Sequence, residues 1–265
     1  MGRKYFILFI ILAMESFLVM AQQDTIYKKE LFIEQQDTLA YRMLWPVNFD
    51  AKKQYPLVLF LHGAGERGND NEKQLVHGSS LFASHENRKK FPAIVVFPQC
   101  PTNSFWSNTI VDRSKRGMER LVFQNGGEPT KPMALVLKLM DSLSAKTYIK
   151  KDQVYVAGLS MGGMGTFEIL SRNPDMFAAA ISICGGGNEE AASKYAKKVP
   201  IWVFHGAKDE VVHPNFSIKM VSAILKTGGY PKFTLYDDAN HNSWDPAFAE
   251  PDFLSWLFSK KRNTQ

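Results

Sequence analysis

The chain has 265 residues, 45% of them hydrophobic and 22% charged, and a formal net charge of +6. That composition suits one globular core and excludes a disordered or collagen-like chain. The basic residues are scattered, and the small clusters at 88–90 and 260–262 lack interleaved aromatics, so a solvated surface fits better than a nucleic-acid-binding face.

At the N-terminus, Arg3 and Lys4 precede apolar runs over 5–14 and 17–20. Val19-Met20-Ala21 has the small-residue pattern that precedes a signal-peptidase cut. The expectation is a signal peptide over 1–21 and a single domain over 22–265, exported to the periplasm or the medium. Glu15 interrupts the apolar run, which argues against a retained membrane anchor.

Residues 26–35 and 39–47 alternate as two antiparallel strands, with Asp37-Thr38 marking the turn. Residues 57–61 form a continuous apolar run, the mark of a strand buried on both faces of a parallel sheet. The run ends in His62-Gly63-Ala64-Gly65-Glu66-Arg67-Gly68, where three glycines imply close approach of the backbone to something else. A second buried strand covers 93–97. The segment 99–132 reads as a long functional loop containing Trp106.

Helical spacing follows over 133–145, with Leu135, Leu139, Met140 and Leu143 on one face. Further strands are expected at 154–157, 178–183, 201–204 and 232–236. Helices are expected at 163–170, at 189–197, after Pro214 and at 253–258. This alternation implies an α/β fold with a mostly parallel central sheet and helices on both faces. Too few residues separate Cys184 from Ile201 for a large cap domain, so an open cleft is expected.

Cys100 and Cys184 would end strands separated by two others, about 14 Å apart. A disulfide needs Cα atoms within about 7 Å, so free buried thiols are expected.

The chemistry centres on Gly158-Leu159-Ser160-Met161-Gly162, between the run Val154-Tyr155-Val156 and a helix. A strand that turns sharply into a helix with Ser at its apex is a nucleophile elbow. Asp209 follows the strand at 201–204, and His241 follows the last strand. In open α/β sheets, sites form at the C-terminal ends of strands. A serine hydroxyl needs a base to take its proton, which suits His241, and Asp209 would orient that imidazole. Asp237 and Asp238 compete for the acid role but directly precede His241, where a turn explains them better. The Met161 N–H and an N–H of Ala64, with Gly65 as the alternative, are the candidate oxyanion donors.

With these residues the sequence resembles an α/β-hydrolase of the esterase type, close to the secreted "predicted peptidase" and polyhydroxybutyrate depolymerase/feruloyl esterase-like group. The matching stretches are LHGAGERGNDN (61–71), FPQCP (97–101), YVAGLSMGGMGTFE (155–168), WVFHGAKDEVV (202–212) and HNSWDPAF (241–248). The resemblance implies an α/β-hydrolase fold and cleavage of carboxylic esters through an acyl-enzyme. Feruloyl or acetyl esters of polysaccharides are the substrates it suggests. The alternatives are a serine peptidase of prolyl-oligopeptidase type and a catalytically silent glycan- or peptide-binding module.

Other residues carry two readings each. Trp106 is a candidate wall of the substrate pocket or a brace for its loop. Trp244 is a candidate lining residue or a loop anchor. Glu66 and Arg67 form a bracing ion pair or a substrate contact. His62 and His205 read as loop braces, His77, His85 and His213 as surface residues, and Asp245-Pro246 as a helix cap with its first-turn proline. No His/Cys/Asp spacing points to a metal site, and no cofactor is implied.

Overall fold

The computed structural model describes residues 26–262; the expected signal peptide over 1–21 lies outside them. Tyr27–Glu34 (β1) and Asp37–Leu44 (β2) form an antiparallel hairpin. Its turn is Gln35-Gln36, two residues earlier than expected. Gln35 takes the positive φ of 55°, and Asp37 already pairs with Glu34. This register turns Leu39, Tyr41 and Met43 into the core, and a slip would turn them out.

Tyr55–Leu61 (β3) and Ile94–Pro98 (β4) follow, both buried along their length. Two short strands, Thr109–Val111 (β5) and Leu121–Phe123 (β6), make a separate hairpin within the segment expected to be a long loop. Ile149–Leu159 (β7), Ala179–Ile183 (β8), Ile201–Gly206 (β9) and Lys232–Tyr236 (β10) complete the set. The main sheet has the order β1-β2-β4-β3-β7-β8-β9-β10. The strands from β4 to β10 run parallel, and β2 pairs antiparallel with β4.

Alternation along the central strands builds two cores. Leu57, Leu59 and Leu61 point to one face, where Lys131–Ser144, Met161–Arg172 and Asn215–Lys226 supply helical partners such as Val136, Ile169 and Met220. Val58 and Phe60 point to the other, against Phe82, Ala247 and Leu257 from Ser79–Ala83, Trp244–Ala249 and Phe253–Ser259. With His85–Lys90 between the first two, these helices are α1 (79–83), α2 (85–90), α3 (131–144), α4 (161–172), α5 (215–226), α6 (244–249) and α7 (253–259).

Two local expectations need correction. The helix expected at 189–197 is a 3-10 turn over Glu190–Lys194. Asp245 does not cap α6: the helix starts one residue earlier, and Asp245 stands in its first turn, accepting from Asn242 Nδ2 at 3.1 Å.

Candidate active site

Strand β7 passes into α4 through Ser160, whose backbone is strained at φ 52° and ψ −117°. A Cβ on Gly162 would collide with the carbonyls of Leu61 and His62, and one on Gly158 with the Gly162 carbonyl. Glycine at both positions is therefore a steric requirement of the elbow. Ser160 ends at the C-terminal edge of the sheet, where β9 and β10 deliver the next two groups.

Ser160 Oγ lies 3.0 Å from His241 Nε2, and His241 Nδ1 lies 2.8 Å from Asp209 Oδ2. Asp209 Oδ1 accepts the N–H groups of Val211 and Val212, both at 2.9 Å. Burial by itself would raise the carboxyl's pKa. The hydrogen bonds from His205, His241 and the Val212 N–H outweigh it and hold the group below the ordinary carboxylate range. An ionised Asp209 requires the proton on His241 Nδ1, which leaves Nε2 free to accept from Ser160. The hydrogen-bonded series runs Ser160 to His241 to Asp209. Asp237 and Asp238 are exposed, and Asp238 pairs with Lys208 instead.

The Met161 N–H opens α4, and the Ala64 N–H opens a 3-10 turn over Ala64–Glu66. Neither has an acceptor among the described residues. Both are thus free to receive an oxyanion. The loop bearing Ala64 is held by His62, which donates from Nδ1 to Gly63 O at 2.6 Å and accepts the Cys100 N–H at Nε2 at 2.9 Å. Its pKa is pushed down to about 4, mainly by burial, so it is neutral and fixed in one tautomer.

Trp106 corrects an expectation. It has no exposed surface, so it offers no wall to a ligand. Its Nε1 donates to His62 O at 3.1 Å, its ring meets the His62 ring edge-on at 5.2 Å, and it packs onto Gly165. It braces the loop. Trp244 is half-buried and meets the His241 ring edge-on at 5.4 Å. Glu66 and Arg67 do not pair with each other. Glu66 faces His77 at 3.8 Å, while Arg67 donates to the carbonyls of Ala64 and Ser104 and covers the Phe105 ring.

Sequence reasoning missed two roles. His205 reaches Asp209 as well as bracing its own loop. His77, expected at the surface, packs on Trp244 with ring centroids 5.0 Å apart. His205 had a signal, since it stands four residues before Asp209 at a strand end; His77 had none. Cys184, Asp209 and His241 bring ligand atoms within 4.8 Å of one another. Burial and the charge of Asp209 raise the Cys184 pKa, so the thiol keeps its proton and is a poor metal ligand.

A family model described as "Putative esterase" matches residues 36–227, most of the chain. The chain belongs to this esterase family. It is 30% identical over 158 residues to the bifunctional acetylxylan esterase/xylanase XynS20E of Neocallimastix patriciarum, covering 60% of this chain and 20% of that protein. It is 27% identical over 193 residues to "Probable feruloyl esterase C" of Aspergillus terreus, covering 69% of this chain and 60% of that one. The chain thus spans a fifth to three-fifths of these relatives. A crystal structure of a thermostable esterase superposes with a TM-score of 0.80 at 34% identity, over 90% of this chain and 64% of the other. A ferulic acid esterase from Anaeromyces mucronatus shares the fold, with a TM-score of 0.64 at 15% identity over 88% of this chain and 90% of that one. The chain has the α/β-hydrolase fold.

Proposed function

We propose that this esterase is an exported serine carboxylesterase that acts through an acyl-enzyme on feruloyl or acetyl esters of polysaccharides. The observation that carries the serine mechanism is the unbroken series Ser160, His241, Asp209, with hydrogen bonds of 3.0 and 2.8 Å. His241 takes the Ser160 proton as Oγ attacks the ester carbonyl. The oxyanion that forms faces the free N–H groups of Met161 and Ala64. His241 then returns the proton to the leaving alcohol, and water repeats the cycle on the acyl-enzyme.

The substrate class draws on the acetylxylan and feruloyl esterases among the relatives. Export draws on the N-terminal leader pattern. Among the described residues no helix is long and apolar enough to cross a membrane.

The test is labelling by a fluorophosphonate together with hydrolysis of acetylated xylan, methyl ferulate, a short polyester and a peptide amide. Wild type should label and release acetate or ferulate. Ser160→Ala should lose the label and at least about a thousandfold in ester turnover. Near-normal turnover in Ser160→Ala sinks the nucleophile, and cleavage of the peptide alone favours a peptidase. Absence of labelling in folded wild type favours a silent binding module.

A further inference from the structure

Glu66 has surroundings that hydrolysis alone does not explain. Its side chain is only 12% exposed. Among the described residues nothing donates a hydrogen bond to its carboxylate, and the His77 ring faces it with Nε2 at 3.8 Å. Neither carboxylate oxygen is sealed from solvent, so both stay open to donors from outside the protein. Its place is close to the nucleophile. Glu66 Oε2 lies 2.9 Å from the point where a Cβ on Gly63 would stand, and that point is 3.6 Å from Ser160 Cβ. The carboxylate and the nucleophile flank the same glycine. A carboxylate there, unless it is engaged by donors, opposes the oxyanion that ester attack creates.

From Glu66 a wall of side chains leads to the catalytic base. His77 follows, then Trp244, whose ring lies 5.0 Å from that of His77 and 5.4 Å from that of His241. His241 must hand a proton to the leaving oxygen, so the alcohol half of the ester lies against whatever flanks this imidazole. Here Trp244 flanks it, with His77 and Glu66 beyond.

The geometry points to a subsite for the alcohol half of the ester, formed by Glu66, His77 and Trp244, that takes an alcohol bearing further hydroxyl groups, a sugar ring above all. This assignment rests on the esterase reading above. Sugar hydroxyls give the Glu66 carboxylate the donors that the protein withholds, and charge-assisted hydrogen bonds of this kind are the stronger ones. The Trp244 ring covers the apolar C–H face of the sugar. A neutral hydroxyl suits the site better than a cation does, because His77 already faces the carboxylate and the Arg67 guanidinium is held on the same loop.

The experiment compares kcat/KM for monoacetylated xylobiose and for ethyl acetate in wild type, Glu66→Leu and Glu66→Gln, with folding checked by circular dichroism. In Glu66→Leu the sugar-to-ethyl ratio should fall at least about tenfold, through KM. Glu66→Gln should recover part of it, since its amide oxygen still accepts. An unchanged ratio in Glu66→Leu overturns the subsite. So does a larger loss with acetylcholine than with the sugar ester, which would mark a cation site. Should wild type hydrolyse neither ester, the esterase reading is judged by the substrate panel above, and the subsite by calorimetric binding of xylotriose. Binding at least about tenfold weaker in Glu66→Leu supports it, and equal or absent binding overturns it.

Discussion

His205 Nε2 lies 3.2 Å from Asp209 Oδ2, the same oxygen that accepts from His241 Nδ1 at 2.8 Å. Two imidazoles thus share one carboxylate oxygen. His205 is completely buried, and its Nε2 also lies 2.8 Å from the Val212 carbonyl. Both neighbours of Nε2 are acceptors, so Nε2 carries a proton. Its Nδ1 meets Ser217 Oγ at 2.7 Å, which anchors the ring to α5.

Removing this donor should change the pH profile, not only the stability. Without it, the carboxylate's charge acts more strongly on His241 and favours its protonated form. The acid limb of kcat/KM should therefore move to higher pH. His205→Asn places its amide where Nδ1 stands and loses the donor to Asp209. His205→Gln places it where Nε2 stands and keeps that donor. The shift should appear in the Asn variant and shrink in the Gln variant. Equal profiles for both, with only a lower melting temperature, would reduce His205 to packing.

His62 makes stability pH-dependent. In the unfolded chain its imidazole binds a proton near pH 6.5. Burial in the fold pushes that value down to about 4. Between these values the unfolded state holds more protons, so stability rises with pH. The contribution is complete above about pH 6.5 and is lost as pH falls to 4, a change of about 3 kcal/mol. Below about pH 3.9 the protonation of Asp209, whose folded pKa is depressed, continues the loss. Urea unfolding at pH 7.5 and 4.5 measures the difference, and His62→Gln should narrow it even though the variant is less stable at both. A difference of the same size in His62→Gln would assign the loss to other groups.

Cys100 and Cys184 are free and buried, at the ends of β4 and β8 with β3 and β7 between them. Burial pushes the Cys100 thiol up to about 12 and raises Cys184 as well, with the charge of Asp209 adding to the latter. Since the thiolate is the reactive form, Ellman's reagent should find neither thiol in the folded protein and both after denaturation without reductant. A thiol that reacts quickly in the native state would contradict this burial. Failure to find thiols after denaturation would show a disulfide.

What was legible in the sequence was local. Apolar runs such as 57–61 mark strands covered on both faces, and the glycines at 158 and 162 mark an elbow because no side chain fits there. The first half of β7 was hidden, because Lys150, Lys151 and Asp152 break the apolar run. It is strand because Ile149 pairs with Tyr55 across an irregular register. The β5–β6 hairpin was hidden for another reason. Its strands are three residues long and half-exposed at Ile110 and Val122, and they are held by packing of Leu121 with Met164, Val212 and Phe216. The hydrogen-bonded series was readable from the order of Ser160, Asp209 and His241 at strand ends. The wall of Glu66, His77 and Trp244 was not, since only tertiary packing brings those three together.

Trp106 separates bracing from substrate contact. The buried ring joins the segment after β4 to the loop after β3 through His62 and seats on α4 at Gly165. Trp106→Ala should destabilise the fold by about 3–5 kcal/mol, from lost burial and the cavity left behind. Trp106→Phe keeps a ring but loses the hydrogen bond to the His62 carbonyl, for a cost of about 1–3 kcal/mol. Either change loosens the loop that bears Ala64, so turnover should fall for every ester by a common factor. The ratio of kcat/KM between acetate and butyrate esters of one alcohol should stay within about twofold of wild type in Trp106→Phe. A marked change in that ratio would place the indole against the acyl chain, contrary to its complete burial between His62 and α4.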